Sequence, residues 1–128
     1  MKENESRSMA LLVGLIKTHD QEGKTRIIGI SVDKEAKHST PYFHIFNENN
    51  QIDTNIGIFD AKYINQESNN NLKLNQSQLK LLNDWFEMPK RNHKNISNWE
   101  YGRMVWEKTH HDNYTYLYTD KPDYTQLK

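Results

Sequence analysis

The sequence predicts an α+β domain: a sheet of four to five mostly antiparallel strands carrying two C-terminal helices on one face. Two observations predict it. Apolar runs of strand length follow one another from Met9 to about Ile58, with turn-forming clusters between them. Beyond them come two segments with helix start signals, at Asn75 and at Ser97. Strands first and helices after is the order expected when helices cover one face of an antiparallel sheet. A chain of 128 residues fits one domain over 1–128, with residues 1–7 as a flexible polar start and 112–128 as a Tyr-rich C-terminal segment.

Met9 to Ile16 is a continuous apolar run, read as a buried strand. His19 to Lys24 holds Asp20 and Gly23 and reads as a hairpin connection. In Arg26 to Val32, period two places Ile28, Ile30 and Val32 on one face. Pro41 to Phe46 is the next strand, with Phe43 and Ile45 on one face and Tyr42, His44 and Phe46 on the other. Apolar or aromatic residues on both faces mark a strand covered twice or one lining a cleft. Asn47 to Asn50 is a turn cluster, and Ile56, Ile58 and Phe59 mark a fourth strand.

The first helix opens on Asn75 as N-cap, with Gln78 reaching back and Leu74 stapling to Leu79. Leu79, Leu82 and Phe86 form its apolar stripe, widened by Leu81 and Trp85, and Pro89 stops it. The second opens on Ser97 with Glu100 completing the box and Ile96 and Tyr101 as the staple. Trp99, Val105 and Trp106 are its anchors, and it ends at His110-His111-Asp112 as a solvated terminus.

Composition excludes several classes. Seventeen basic and seventeen acidic residues cancel, which argues against a dedicated nucleic-acid or membrane-surface protein. There is no cysteine, so disulfides and thiolate zinc sites are impossible. The run from Met9 to Ile16 is far shorter than the roughly 20 residues a membrane span needs. The mixed-charge start (Lys2, Glu3, Glu5, Arg7) speaks against a signal peptide, so a cytoplasmic location is expected.

Three groups of residues are candidate sites. Tyr42 and His44 lie on the aromatic strand, where an imidazole titrating near neutral pH can act as a base. Catalysis would require an orienting carboxylate, for which Asp33 and Asp60 are the candidates. Lys90, Arg91, His93 and Lys94 concentrate positive charge in an interhelical loop suited to an acidic partner. Tyr114, Tyr116 and Tyr118 alternate along an extended segment, and tyrosine offers large contact area with a polar tip. That row serves either as a docking edge or as a last strand of the domain's own sheet. Neither a Gly-rich phosphate loop nor a nucleophile elbow occurs, and no cofactor or metal is expected.

Pro41-Tyr42-Phe43-His44, then Trp85, then Asn98-Trp99-Glu100 and Trp106 together resemble a family of small uncharacterised bacterial and phage proteins with a Pro-His-Phe-His strand. The resemblance covers roughly residues 25 to 110. It implies the same fold and an association with toxin–antitoxin or defence systems. Tyr42 stands where that pattern has its first histidine, so a His-x-His metal pair is absent.

The expected function is a non-enzymatic protein-binding factor, an inhibitor from a phage or mobile element acting on a host defence or toxin protein. The alternatives are a His44-dependent hydrolase or nuclease and a nucleic-acid-binding module using residues 90–94. A homodimer through the Tyr-rich segment is a further possibility.

Overall fold

A computed structural model describes residues 10–19, 21–33, 40–47, 51–64, 73–110 and 120–127. Four strands, β1 (Ala10–His19), β2 (Thr25–Asp33), β3 (Tyr42–Asn47) and β4 (Asp53–Gly57), form an antiparallel sheet in the order β1-β2-β3-β4. Helix α1 (Gln76–Glu87) and helix α2 (Asn98–Thr109) follow, separated by a small hairpin of β5 (Pro89–Lys90) and β6 (His93–Ser97). A short 3-10 turn, Tyr124–Gln126, closes the described chain. The α+β class, the antiparallel sheet and both helices are as the sequence predicts.

The strand alternation sets the core. Ile28, Ile30 and Val32 are all buried, and Phe43, Ile45 and Ile56 join them from the neighbouring strands. The β1–β2 connection turns at Gly23, whose φ of 84° lies in the left-handed region that a side chain disfavours. In β1 the register shifts between Leu12 and Gly14, a bulge that sends Val13 into the core.

Both helices start as their sequences dictate. Asn75 accepts from the Gln78 backbone N–H while the Gln78 side chain accepts from the Asn75 N–H, so the capping box is complete. Ser97 Oγ accepts from the Glu100 N–H, but the Glu100 carboxylate instead meets Arg103 Nη2 at 3.3 Å. That half of the expected box is replaced by an ion pair one turn along the helix.

Phe43 holds the layers together. Its ring stacks on Phe86 of α1 with centroids 5.1 Å apart, and α2 crosses it at Gly102. A Cβ at Gly102 would stand 2.8 Å from Phe43 Cε1 and 3.3 Å from Val13 Cγ1. Phe43 is fully buried against Phe86 and has no room to retreat. Gly102→Ala is therefore expected to destabilise: overpacking costs about 1–3 kcal/mol, which outweighs a helix-propensity gain of at most about 1 kcal/mol. Urea unfolding of the two proteins measures the difference.

One C-terminal expectation is corrected. His110 is not a solvated helix end. It is 5% exposed and stacks on Trp106 with centroids 3.9 Å apart, because the C-cap turns the ring back over the last turn. Residues 120–127 also contribute to the core through Tyr124, which is fully buried. Its hydroxyl lies 2.8 Å from the Gly57 carbonyl and 3.0 Å from that of Ile58, and its backbone N–H donates to Asn83 Oδ1 at 3.0 Å. Burial pushes the Tyr124 hydroxyl well above the usual phenol range, with Trp99 opposing and Asp60 reinforcing the shift. A raised folded value favours the neutral form, so this contribution is intact below about pH 10 and lost above it. The Tyr124 hydroxyl is expected to add no pH dependence to stability up to that pH and to lower stability above it, a trend that Tyr124→Phe should flatten. Thermal unfolding across alkaline pH checks it.

Candidate functional site

Two surfaces carry the chemistry that the sequence singled out. The first is built where β1 meets the β5–β6 hairpin. Among the described residues β1 pairs with β2 alone, so it forms one edge of the sheet. Its bulge and alternation leave Leu12 55% and Leu15 49% exposed. Across a cleft of about 570 Å³ stand Met88, 53% exposed, and the Trp85 ring. Trp85 can lie there because residue 14 is glycine: a Cβ would meet Trp85 Cζ2 at 2.4 Å. Asn98 fixes the rim by donating from its side chain to the Trp85 carbonyl at 2.8 Å and from its backbone to the Met88 carbonyl at 2.8 Å.

Lys17, Lys90 and Arg91 line the same cleft, and among the described residues no acidic side chain lines it. Residues 90–94 are not the loop expected from sequence. Lys90 ends β5, Arg91 and Asn92 make a two-residue turn, and His93 starts β6. The hairpin presents Arg91 and His93 to solvent, with His93 stacked on Tyr101 at 6.0 Å. Lys90 Nζ sits 4.5 Å over the other part of this aromatic cluster, the Tyr101 ring. A ring face holds an ammonium without neutralising it. Lys94 stands in β6, and its side chain is outside the described residues.

The second surface is the sheet face opposite the helices. His44 Nε2 lies 2.6 Å from Asp53 Oδ1, with side chains 30% and 55% exposed. The sheet register explains the pairing: Phe46 faces Asp53 directly and His44 faces Asn55, so Asp53 is the diagonal neighbour of His44. The carboxylate partner is thus Asp53, and neither of the two considered from sequence. Asp33 instead accepts from the Tyr42 hydroxyl at 2.7 Å. Phe46 stacks beside His44 at 5.2 Å and lies over Gly29, filling the place of the missing side chain. Ser31, opposite His44 on β2, is only 3% exposed and is not placed to attack a substrate.

The expected contact residues therefore separate. Tyr42 is 3% exposed and packs against Trp106 with centroids 5.3 Å apart, which makes it a core residue and not a surface one. His44 is partly exposed on the sheet face that also carries Phe46, while Lys90, Arg91 and His93 lie at the hairpin. Tyr114, Tyr116 and Tyr118 lie outside the described residues. Leu12, Leu15, Lys17 and Met88 were missed as site residues. The apolar character of Leu12, Leu15 and Met88 reads as core in sequence, and only the edge position of β1 and the glycine-seated Trp85 bring them to the surface. Among the described residues no group of three or more His, Cys, Asp or Glu side chains is arranged to hold a metal ion. Nor is any described helix long and apolar enough to cross a membrane. No family model, curated protein or solved structure matches the chain.

Proposed function

We propose that the protein is a non-enzymatic binding factor that occupies a surface of a protein partner through the cleft between β1 and the β5–β6 hairpin. The observation that carries this reading is the set of large apolar side chains held about half exposed around one cleft, Leu12, Leu15 and Met88, bordered by Lys17, Lys90 and Arg91. Exposed apolar residues with a polar or charged rim mark interaction surfaces. An inhibitor of a defence or toxin protein, from a phage or mobile element, is the role we propose, because the Pro41 to His44 strand resembles a family associated with such systems and the role needs only such a surface.

Affinity capture from a native lysate, with wild-type and His44→Ala proteins as baits, tests the reading. Both baits are expected to retain the same partner in the same yield. Loss of the partner or of its inhibition with His44→Ala, in a folded protein, would contradict it.

A second reading has a specific observation behind it. The 2.6 Å contact of His44 with Asp53 is the orienting bond that a general base requires. In a hydrolase or nuclease His44 would activate water, held in position by Asp53. Hydrolysis of a chromogenic phosphodiester by wild type and not by His44→Ala would favour this reading.

A further inference from the structure

The binding surface reading leaves open what kind of segment fits the cleft, and the strand edge, the apolar floor and the charge together limit the answer. We propose that the Gly14–His19 edge of β1 accepts an extended, acidic segment of a protein partner by strand addition, with the carboxylates of that segment meeting Lys17, Lys90 and Arg91. This rests on the cleft being the docking surface.

The edge is of the right kind. From Gly14 to His19 the register with β2 runs without interruption, Gly14 opposite Ile30 and His19 opposite Thr25. The bulge lies upstream, between Leu12 and Gly14, and bounds the segment on that side. Among the described residues no strand pairs with its outer side, the arrangement that strand addition uses. Side chains of an added strand alternate between two faces. Those on one face meet Trp85, seated over Gly14, and those on the other lie beside Leu15 and Lys17.

Charge selects the occupant. Among the described residues the cleft is lined by three cations and no carboxylate. An edge lysine ordinarily discourages strand addition, and a carboxylate on the incoming strand turns that obstacle into a selective contact. A second copy of this chain fits poorly. Docking about a two-fold axis would oppose the same cationic surface to itself. Nucleic acid fits less well than a peptide for two reasons. Backbone pairing along a strand edge is a peptide's interaction, and the Trp85 ring is already packed over Gly14 and not free as a stacking platform for bases.

Fluorescence anisotropy with three labelled probes tests the proposal: an alternating Glu-Val peptide of strand length, the matching Lys-Val peptide, and an oligothymidylate. The Glu-Val peptide is expected to bind saturably, at least about tenfold tighter than either other probe. Lys17→Glu/Lys90→Glu/Arg91→Glu is expected to reverse the peptide preference. Amide chemical-shift changes in the wild-type protein give a readout that does not depend on a variant folding. They are expected at Gly14–His19 and Lys90–Arg91. Absence of saturable Glu-Val binding, tighter binding of the oligothymidylate, or shifts centred on His44 and Asp53 would each overturn the proposal. If the peptide fails while Leu12→Glu/Leu15→Glu still abolishes the captured complex, the docking surface stands and its acidic, extended occupant falls. If that variant keeps the complex, the surface itself falls.

Discussion

Tyr124→Ala is expected to lower the unfolding free energy by about 3–5 kcal/mol, the range for truncating a large buried aromatic side chain. The ring is fully buried and packs on Phe86 with centroids 5.3 Å apart, so its loss opens a cavity beside the residue that also holds Phe43. The hydroxyl adds a polar contribution. It bonds to the end of β4 at the Gly57 and Ile58 carbonyls and lies 3.3 Å from Trp99 Nε1. Tyr124→Phe keeps the ring and removes these bonds, and should cost only about 1–2 kcal/mol, because Trp99 still donates to the Ile58 carbonyl at 3.1 Å. Chemical denaturation of both variants separates packing from hydrogen bonding. Equal losses would mean that the ring contributes nothing beyond its hydroxyl.

Leu12→Glu/Leu15→Glu is expected to leave the fold nearly intact and to weaken the partner complex at least about 100-fold, or roughly 2.7 kcal/mol. Both side chains are about half exposed, so their replacement removes little core contact and should change stability by no more than about 1 kcal/mol. At a docked interface the same leucines become desolvated anchors, where truncating one commonly costs about 2 kcal/mol or more. The new carboxylates also repel an acidic occupant. Calorimetric titration of the purified partner, beside thermal unfolding of the variant alone, distinguishes lost binding from lost folding.

The strands and helix starts were legible because each is written in local chemistry. Ile28, Ile30 and Val32 alternate in sequence and are buried together. Asn75 and Gln78 form the reciprocal cap that their spacing predicts. The hairpin at 89–97 was not legible. Its strands are short and polar, and it is held by the Asn98 bonds to Met88 and Trp85, which no local pattern announces. Tyr124 was missed for a similar reason: it stands outside the Tyr114–Tyr118 alternation and carries no periodicity of its own, and its partners Asn83, Gly57 and Ile58 are distant in sequence. The Asp53 partner of His44 was recoverable. Pairing the strands around the Asn47–Asn50 turn places Asp53 opposite Phe46, one diagonal step from the imidazole. The exposure of Leu12 and Leu15 was not recoverable, because it depends on β1 being an edge.

Hydrogen–deuterium exchange on the protein with and without its purified partner is the most direct test of how the molecule works. Slowed exchange is expected along Gly14–His19 and in the β5–β6 hairpin, with the amides of Tyr42–Phe46 and Asp53–Asn55 unchanged. Protection confined to the His44 and Asp53 strands, with β1 exchanging as freely as before, would contradict it.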